Sequence, residues 1–172
     1  LTGFAATGCS PVRILLKAYP EKFDQDKQLV EKTLRAFVLT VVPGASLDDP
    51  NLIRIYSDDY YPFCRYCGFF VFDLAKRSAK LYGDERFDQF VLAQRTAVIE
   101  TGLRADASVA RLYRAAVFMA QVSFYGGIYE DEKGCPLIDF HGTQSAFGDE
   151  KMFYPQCTAL LAREITRDGN YG

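Results

Sequence analysis

The sequence predicts an all-α protein, a single-domain helical bundle of about four to five helices with an irregular C-terminal segment rich in glycine and aromatic residues. Three observations predict this fold class. Apolar residues recur every three or four positions through most of residues 26–124, which is the period of an amphipathic helix. Glycine and proline interrupt the pattern at only a few points. The length of 172 residues suits one domain with its own core.

The first half of the chain contains two long predicted helices. One spans residues 26–42 and is ended by Pro43-Gly44. A short helical turn is expected at residues 52–56. The second long helix spans residues 60–82, with Phe70, Leu74 and Leu81 among the side chains directed to one face, and it ends at a C-cap glycine at position 83.

Two more helices precede the change of pattern at Gly126-Gly127. A helix at residues 87–103 is expected to bury Phe90, Val91, Val98 and Ile99. The next helix is predicted to begin after Asp106, an N-cap residue, and to run to residue 124. It is apolar almost all round between residues 115 and 124, which predicts a central position in the bundle.

The remaining sequence shows neither the helical nor the strand period clearly. Residues 128–155 are predicted to be ordered but irregular, with one short strand at 137–140. Long irregular stretches inside compact domains are usually functional. A last short helix is expected at residues 156–166.

The N-terminal residues 1–22 are predicted to be the remnant of an export signal, a lipid-attachment site and a tether, with the helical domain at 23–172. Residues 1–8 carry no charge, and Ala6-Thr7-Gly8-Cys9 resembles a bacterial lipobox, in which the cysteine is acylated. The sequence thus predicts an exported, periplasmic protein held at the membrane by a lipid on Cys9. The alternative is an N-terminus with an incidental cysteine.

Composition narrows the classes of function. The formal net charge is −2 and the lysines and arginines are scattered, which is not typical of a nucleic-acid-binding face. The sequence contains no phosphate-binding glycine loop, so no nucleotide cofactor is expected in this chain. Its 14 Phe and 11 Tyr residues fit a core and also a protein interface.

Cysteine and histidine supply the main candidates for chemistry. If Cys9 carries a lipid, four cysteines remain as disulfide candidates, namely Cys64, Cys67, Cys135 and Cys157. The Cys64-Arg65-Tyr66-Cys67 motif at a helix start is also compatible with a redox-active dithiol or with part of a metal site. His141 is the single histidine, which leaves little room for a catalytic triad. No catalytic, cofactor-binding or metal-binding residue is therefore predicted.

Four motifs resemble those of the gluconate 2-dehydrogenase subunit 3 family. They are Leu39-Thr40-Val41-Val42-Pro43, then Lys80-Leu81-Tyr82-Gly83 followed by Phe87, then Phe124-Tyr125-Gly126-Gly127-Ile128-Tyr129, and finally Leu137-Ile138-Asp139-Phe140-His141-Gly142. The resemblance implies a small subunit without a cofactor that supports folding, export or assembly of a large one. That partner would be a flavoprotein dehydrogenase of the glucose-methanol-choline type, which holds FAD, oxidises a sugar or polyol and passes electrons to a cytochrome c.

The segment between residues 125 and 142 is the predicted docking surface for such a partner, because its aromatic and glycine residues are expected to be exposed. The predicted contact residues are Tyr125, Gly126, Gly127, Ile128, Tyr129, Phe140, His141 and Gly142. A competing interpretation is that these residues cap the helical bundle. Two other functions stay open: an independent periplasmic thiol-disulfide redox protein using Cys64 and Cys67, and a scaffold lipoprotein without an enzyme partner.

Overall fold

Helices dominate the structure, a computed structural model that describes residues 19–129 and 134–138. Within those two ranges the chain is a single all-α domain without strands, which confirms the predicted fold class. The α-helices are α1 (Lys22–Gln25), α2 (Lys27–Val41), α3 (Arg54–Ser57), α4 (Cys67–Tyr82), α5 (Leu92–Leu103) and α6 (Ala107–Tyr125). The 3₁₀ helices are Pro62–Tyr66, Phe87–Gln89 and Cys135–Ile138. Of the helices in these ranges, none combines the length and apolarity that a membrane crossing requires.

Helix α2 follows the sequence prediction closely. The Asp26 carboxylate accepts a hydrogen bond from the Leu29 N–H at 3.0 Å and thereby caps the first turn. Leu34, Phe37 and Val38 lie on the buried face of α2. The ring of Phe37 packs edge-on against Phe70 of α4, with the ring centroids 4.9 Å apart.

Helix α4 is the central helix of the bundle. Nine of its 16 residues are buried, against seven of 19 in α6. The prediction that α6 is central is therefore wrong, since Phe118 in the middle of its apolar stretch is 62% exposed. Gly83 ends α4 in the left-handed region at φ 76°, as predicted.

The predicted helix at residues 60–82 begins later than expected. Tyr61 is extended, with φ −102° and ψ 128°, because the proline that follows disfavours the helical region for the residue before it. Pro62 then opens a 3₁₀ helix, and the α-helix begins only at Cys67. Leu81 was expected on the buried face and is exposed.

Helix α5 also begins later than predicted, at Leu92 instead of residue 87. Phe90 and Val91 are extended, and the Gln94 side chain accepts a hydrogen bond from the Val91 N–H at 3.3 Å. Val91 thus precedes the first turn, and its side chain is exposed rather than buried. Val98 and Ile99 are buried, as predicted.

A buried polar cluster links α4 to α6. The Asp73 carboxylate accepts hydrogen bonds from the Arg77 Nε at 2.6 Å and from the Tyr113 hydroxyl at 3.0 Å. Arg77 also donates to the carbonyl oxygen of Thr101 at the end of α5, at 3.0 Å. One carboxylate therefore fixes the relative positions of three helices. We call Asp73, Arg77 and Tyr113 the polar cluster.

Helix α6 begins as predicted and leads into a short C-terminal element. The Asp106 carboxylate caps it by accepting from the Ser108 and Val109 N–H groups, both at 3.1 Å. The strand expected at 137–140 is wrong where the structure describes it, because residues 135–138 form a 3₁₀ helix. Pro136 suits the start of such a helix, since its missing N–H is not needed there. The helix predicted at 156–166 and the N-terminal residues 1–18 lie outside the described residues.

Candidate functional site

The two cysteines of the CxxC motif lie at the junction between the 3₁₀ helix Pro62–Tyr66 and α4. Cys64 is in the 3₁₀ helix and Cys67 is the first residue of α4. The Cys67 N–H donates to the carbonyl oxygen of Cys64, so the two residues close a single turn. The prediction of a cysteine pair at a helix start is correct, and both residues are free thiols in the structure.

The environments of the two thiols differ. Cys67 is buried, and its thiol donates to the carbonyl oxygen of Tyr56 in α3 at 3.0 Å. Burial, followed by the nearby Cys64, raises the pKa of the Cys67 thiol to about 12. Cys64 is only half-buried. Cys67 is therefore a protonated hydrogen-bond donor at neutral pH, and Cys64 is the more accessible sulfur.

Tyr56 connects this thiol to the rest of the bundle. Its backbone carbonyl accepts from Cys67, while its own hydroxyl donates to the carbonyl oxygen of Ala116 in α6 at 2.6 Å. The ring is fully buried between Phe37 and Phe63. Through Tyr56, the short helix α3 is held against both α4 and α6.

A cavity of about 520 Å³ opens beside the two cysteines, which form part of its wall. Helices α1 and α2 supply one side of it, and α3 with the start of α4 supplies the other. Its lining combines an apolar floor with a few polar side chains. The apolar residues include Phe23, Val30, Leu34, Ile53 and Tyr56, and the polar ones are Asp24, Lys27, Glu31 and Ser57.

The charges around the cavity are of both signs. The Asp24 carboxylate accepts from the Tyr19 hydroxyl at 2.8 Å, and Glu31 pairs with Arg35 at 3.0 Å. Lys27 supplies an ammonium group, for which no ion pair is found within the described ranges. A small amphipathic molecule that carries both amino and carboxylate groups would suit such a lining.

The part of the predicted docking segment that the structure describes forms hydrogen bonds to other parts of the same chain. The Tyr125 hydroxyl donates to the carbonyl oxygen of Pro43 at 2.8 Å, and the Tyr129 hydroxyl donates to the Asp58 carboxylate at 3.0 Å. The guanidinium of Arg54 lies over the Tyr129 ring, 4.4 Å from its centroid. Burial and the Asp58 hydrogen bond raise the pKa of Tyr129. The expectation that Tyr125, Ile128 and Tyr129 are exposed is wrong, because all three are half-buried.

The glycines of this segment are needed for its turn. Gly127 has a φ of 59°, in the left-handed region that side chains disfavour. A Cβ on Gly126 would lie 2.6 Å from the Val122 carbonyl oxygen, and one on Gly134 would lie 2.4 Å from that of Phe124. The chain therefore turns tightly against the end of α6.

Two aliphatic side chains project from the same end of the bundle. Leu137 and Ile138 are 59% and 54% exposed. Leu137 lies over the turn that follows α2, because a Cβ on Gly44 would come within 2.6 Å of its Cδ1. We call residues 125–129 together with 135–138 the C-terminal platform. Sequence patterning missed the exposure of Leu137 and Ile138, since it placed them in a strand.

Other predicted site residues lie outside the described part of the chain. These are Cys9, Phe140, His141, Gly142 and Cys157, together with the side chain of Cys135. Disulfides involving Cys135 or Cys157 and a lipid on Cys9 therefore stay predictions. Among the residues that are described, His, Cys, Asp and Glu side chains do not gather in threes that could hold a metal ion.

Comparison of the chain with protein-family models, with curated proteins and with solved structures found no match in any of the three.

Proposed function

We propose that the chain is a non-catalytic accessory subunit that binds a larger flavin-dependent dehydrogenase through the C-terminal platform. The observation that carries the proposal is the contrast within the platform. Tyr125 and Tyr129 are tied to the bundle by hydrogen bonds, whereas Leu137 and Ile138 project into solvent. The platform thus combines two tyrosines that are held in place with two exposed apolar side chains that a partner can cover.

Tyrosines that are already held in place favour binding, because less conformational freedom is lost when a partner docks. Complete burial of a leucine or isoleucine side chain contributes about 1.5–3 kcal/mol. More than half of each of these two side chains is still accessible. Covering both would therefore contribute roughly 2 kcal/mol, or about thirtyfold in Kd.

The family resemblance supports the choice of partner. Two of its motifs, at residues 124–129 and 137–142, overlap the platform. The proposed partner is a glucose-methanol-choline type dehydrogenase that oxidises a sugar or polyol. FAD would belong to that partner, with a cytochrome c as the electron acceptor. The proposed site of assembly is the periplasm, where a lipid on Cys9 would hold the complex at the membrane.

The decisive experiment is co-purification of the tagged chain with the flavin-dependent dehydrogenase of its host. We expect a large subunit with flavin absorption to be retained, and Leu137→Asp with Ile138→Asp to weaken its binding about thirtyfold. Leu92→Asp is the matched control, since Leu92 is 56% exposed but lies at the start of α5. Its binding should equal that of the unchanged chain.

Docking and capping predict different results for the platform variants. If the platform only caps the bundle, Leu137→Asp with Ile138→Asp would leave partner affinity intact. Tyr129→Ala is a less selective test, because loss of its Asp58 hydrogen bond and Arg54 contact lowers stability in both cases. Retention of partners that carry no flavin would overturn the choice of a dehydrogenase and favour a scaffold protein.

A further inference from the structure

The cysteine pair and the cavity beside it have no part in the proposed docking function. Cys64 and Cys67 lie at one end of a cavity large enough for a small ligand, on the α1, α2 and α4 side of the bundle. A buried thiol with a protein partner and a half-buried thiol three residues away differ in access to the same space. Such a difference in access allows the two sulfurs to react with a substrate in a fixed order.

We infer that Cys64 and Cys67 form a thiol-disulfide exchange site. Cys64 is the thiol that meets a disulfide substrate in the cavity, and Cys67 is the thiol that resolves the mixed disulfide. The substrate class is a low-molecular-weight peptide disulfide that carries both amino and carboxylate groups.

The backbone geometry permits a bond between the two sulfurs. Residues one helical turn apart have Cα atoms separated by about 5 Å, within the range of roughly 4.4–6.8 Å found for disulfides. The hydrogen bond from the Cys67 N–H to the Cys64 carbonyl holds that turn closed.

The exchange proceeds in two balanced steps. Cys64 gives its proton to water, and its thiolate attacks one sulfur of the substrate, so that a mixed disulfide forms and the other half leaves as a thiolate that takes a proton from water. Cys67 then gives its proton to water and attacks the Cys64 sulfur. The bond between Cys64 and Cys67 forms, the mixed disulfide breaks, and the second half leaves as a thiolate that also takes a proton from water. In sum, two electrons and two protons pass from the chain to the substrate, which becomes two thiols.

The order of the steps follows from accessibility and acidity. Cys64 is half-buried in the cavity wall, whereas Cys67 is buried and has its pKa raised to about 12. A protonated thiol is a poor nucleophile toward a disulfide in solution. Once a mixed disulfide has formed at Cys64, the local concentration of the neighbouring sulfur compensates for its weak acidity.

The substrate class follows from the cavity lining. Lys27 offers a positive charge to a substrate carboxylate, and the carboxylates of Asp24 and Glu31 offer negative charge to a substrate amino group. The apolar floor between them suits the aliphatic part of a peptide. Glutathione disulfide has these features and serves as the probe.

Oxidation would also change the packing of α3. The Tyr56 carbonyl loses the thiol donor that it accepts from in the reduced chain, because a disulfide sulfur carries no proton. We therefore expect the oxidised chain to have a lower Tm than the reduced chain.

The experiment equilibrates the full chain in glutathione buffers, quenches it with acid and digests it with trypsin under denaturing conditions. Trypsin cleaves after Arg65, so a bond between Cys64 and Cys67 joins peptide 55–65 to peptide 66–76. We expect the joined species to increase with the ratio of oxidised to reduced glutathione. Cys67→Ser should instead accumulate a glutathione adduct on peptide 55–65, several-fold above the adduct on peptide 66–76 in Cys64→Ser.

A charge variant tests the substrate class separately. Lys27→Glu should slow oxidation by glutathione disulfide several-fold but leave oxidation by uncharged hydroxyethyl disulfide unchanged. Equal slowing of both would overturn the assignment of a carboxylate-bearing substrate.

The exchange site itself is refuted if the two peptides stay unlinked in fully oxidising buffer, or if either cysteine is found joined to Cys135 or Cys157 instead. Circular dichroism of Cys64→Ser checks that the variant retains its helices.

Discussion

The middle and the N-terminal end of α4 treat buried polar groups in opposite ways. In the middle of the helix, the Asp73 carboxylate is enclosed by Arg77 and Tyr113. At the N-terminal end, the Cys67 thiol contacts the carbonyl oxygens of Tyr56 and Phe63, at 3.0 and 3.6 Å, and lines a cavity of about 520 Å³. The comparison separates a polar group that fixes helices from one that is placed where a ligand could reach it.

The two positions differ because a buried carboxylate and a buried thiol require hydrogen-bond partners of different strength. A buried carboxylate without a partner is very costly, so Asp73 requires strong donors around it. A thiol is a weak donor that tolerates burial as a small apolar group, so Cys67 requires little from its surroundings. One helix can therefore carry a rigid middle and an N-terminal end with space beside it.

The largest predicted effect is at Asp73, in the rigid middle of α4. Asp73→Ala should lower the free energy of unfolding by about 3 kcal/mol, because it leaves the Arg77 guanidinium and the Tyr113 hydroxyl without their shared acceptor. Chemical denaturation measures the change. The matched control is Glu100→Ala, which removes an exposed pair with Arg104 and should cost less than about 1 kcal/mol. Equal effects of the two substitutions would show that the polar cluster does not stabilise the bundle.

The second prediction concerns the tight packing around Tyr113. Gly102 lies inside α5, where replacement by alanine would normally stabilise a helix by about 1 kcal/mol. Here a Cβ would come within 2.2 Å of the Tyr113 ring, which is fully buried and held by Asp73. Overpacking of that kind costs about 1–3 kcal/mol. We expect Gly102→Ala to lower the Tm, and a raised Tm would mean that the ring can move.

Local rules account for what the sequence predicted well. Asp106 and Gly83 define helix ends through contacts within a few residues, and both were identified from the sequence. The pairing of Cys64 with Cys67 at a helix start is local in the same sense. The late starts of α4 and α5 were missed, although Pro62 gave a signal for the first of them.

Long-range contacts account for what the sequence did not predict. Tyr125 and Tyr129 were expected to be exposed, but their hydrogen-bond partners lie 82 and 71 residues away. The cavity likewise requires α1 and α2 to approach α3 and α4, and the spacing of residues along one helix carries no information on that approach. The spacing of hydrophobic residues therefore predicted the helix that carries the two cysteines, but it did not predict the cavity beside them.

The last prediction tests the end of α4 that adjoins the cavity. Cys67→Ala removes the donor to the buried Tyr56 carbonyl and should lower the free energy of unfolding by about 1–2 kcal/mol. Cys67→Ser keeps a donor and should cost less. The effect is expected to be smaller than that of Asp73→Ala, because a neutral thiol is replaced instead of an ion-paired carboxylate.

The dependence of stability on alkaline pH is a second test of the role of Cys67. The folded-state pKa of Cys67, about 12, lies above its ordinary value of 9.0, so the folded chain keeps a proton that the unfolded chain releases. The resulting stabilisation is complete below pH 9 and is lost as the pH rises from 9 toward 12. Tyr56 and Tyr113 also have raised pKa values and add to the alkaline decline. The difference between the unchanged chain and Cys67→Ser isolates the thiol, and it should shrink over this interval. A difference that is independent of pH would show that Cys67 is not a buried, protonated donor.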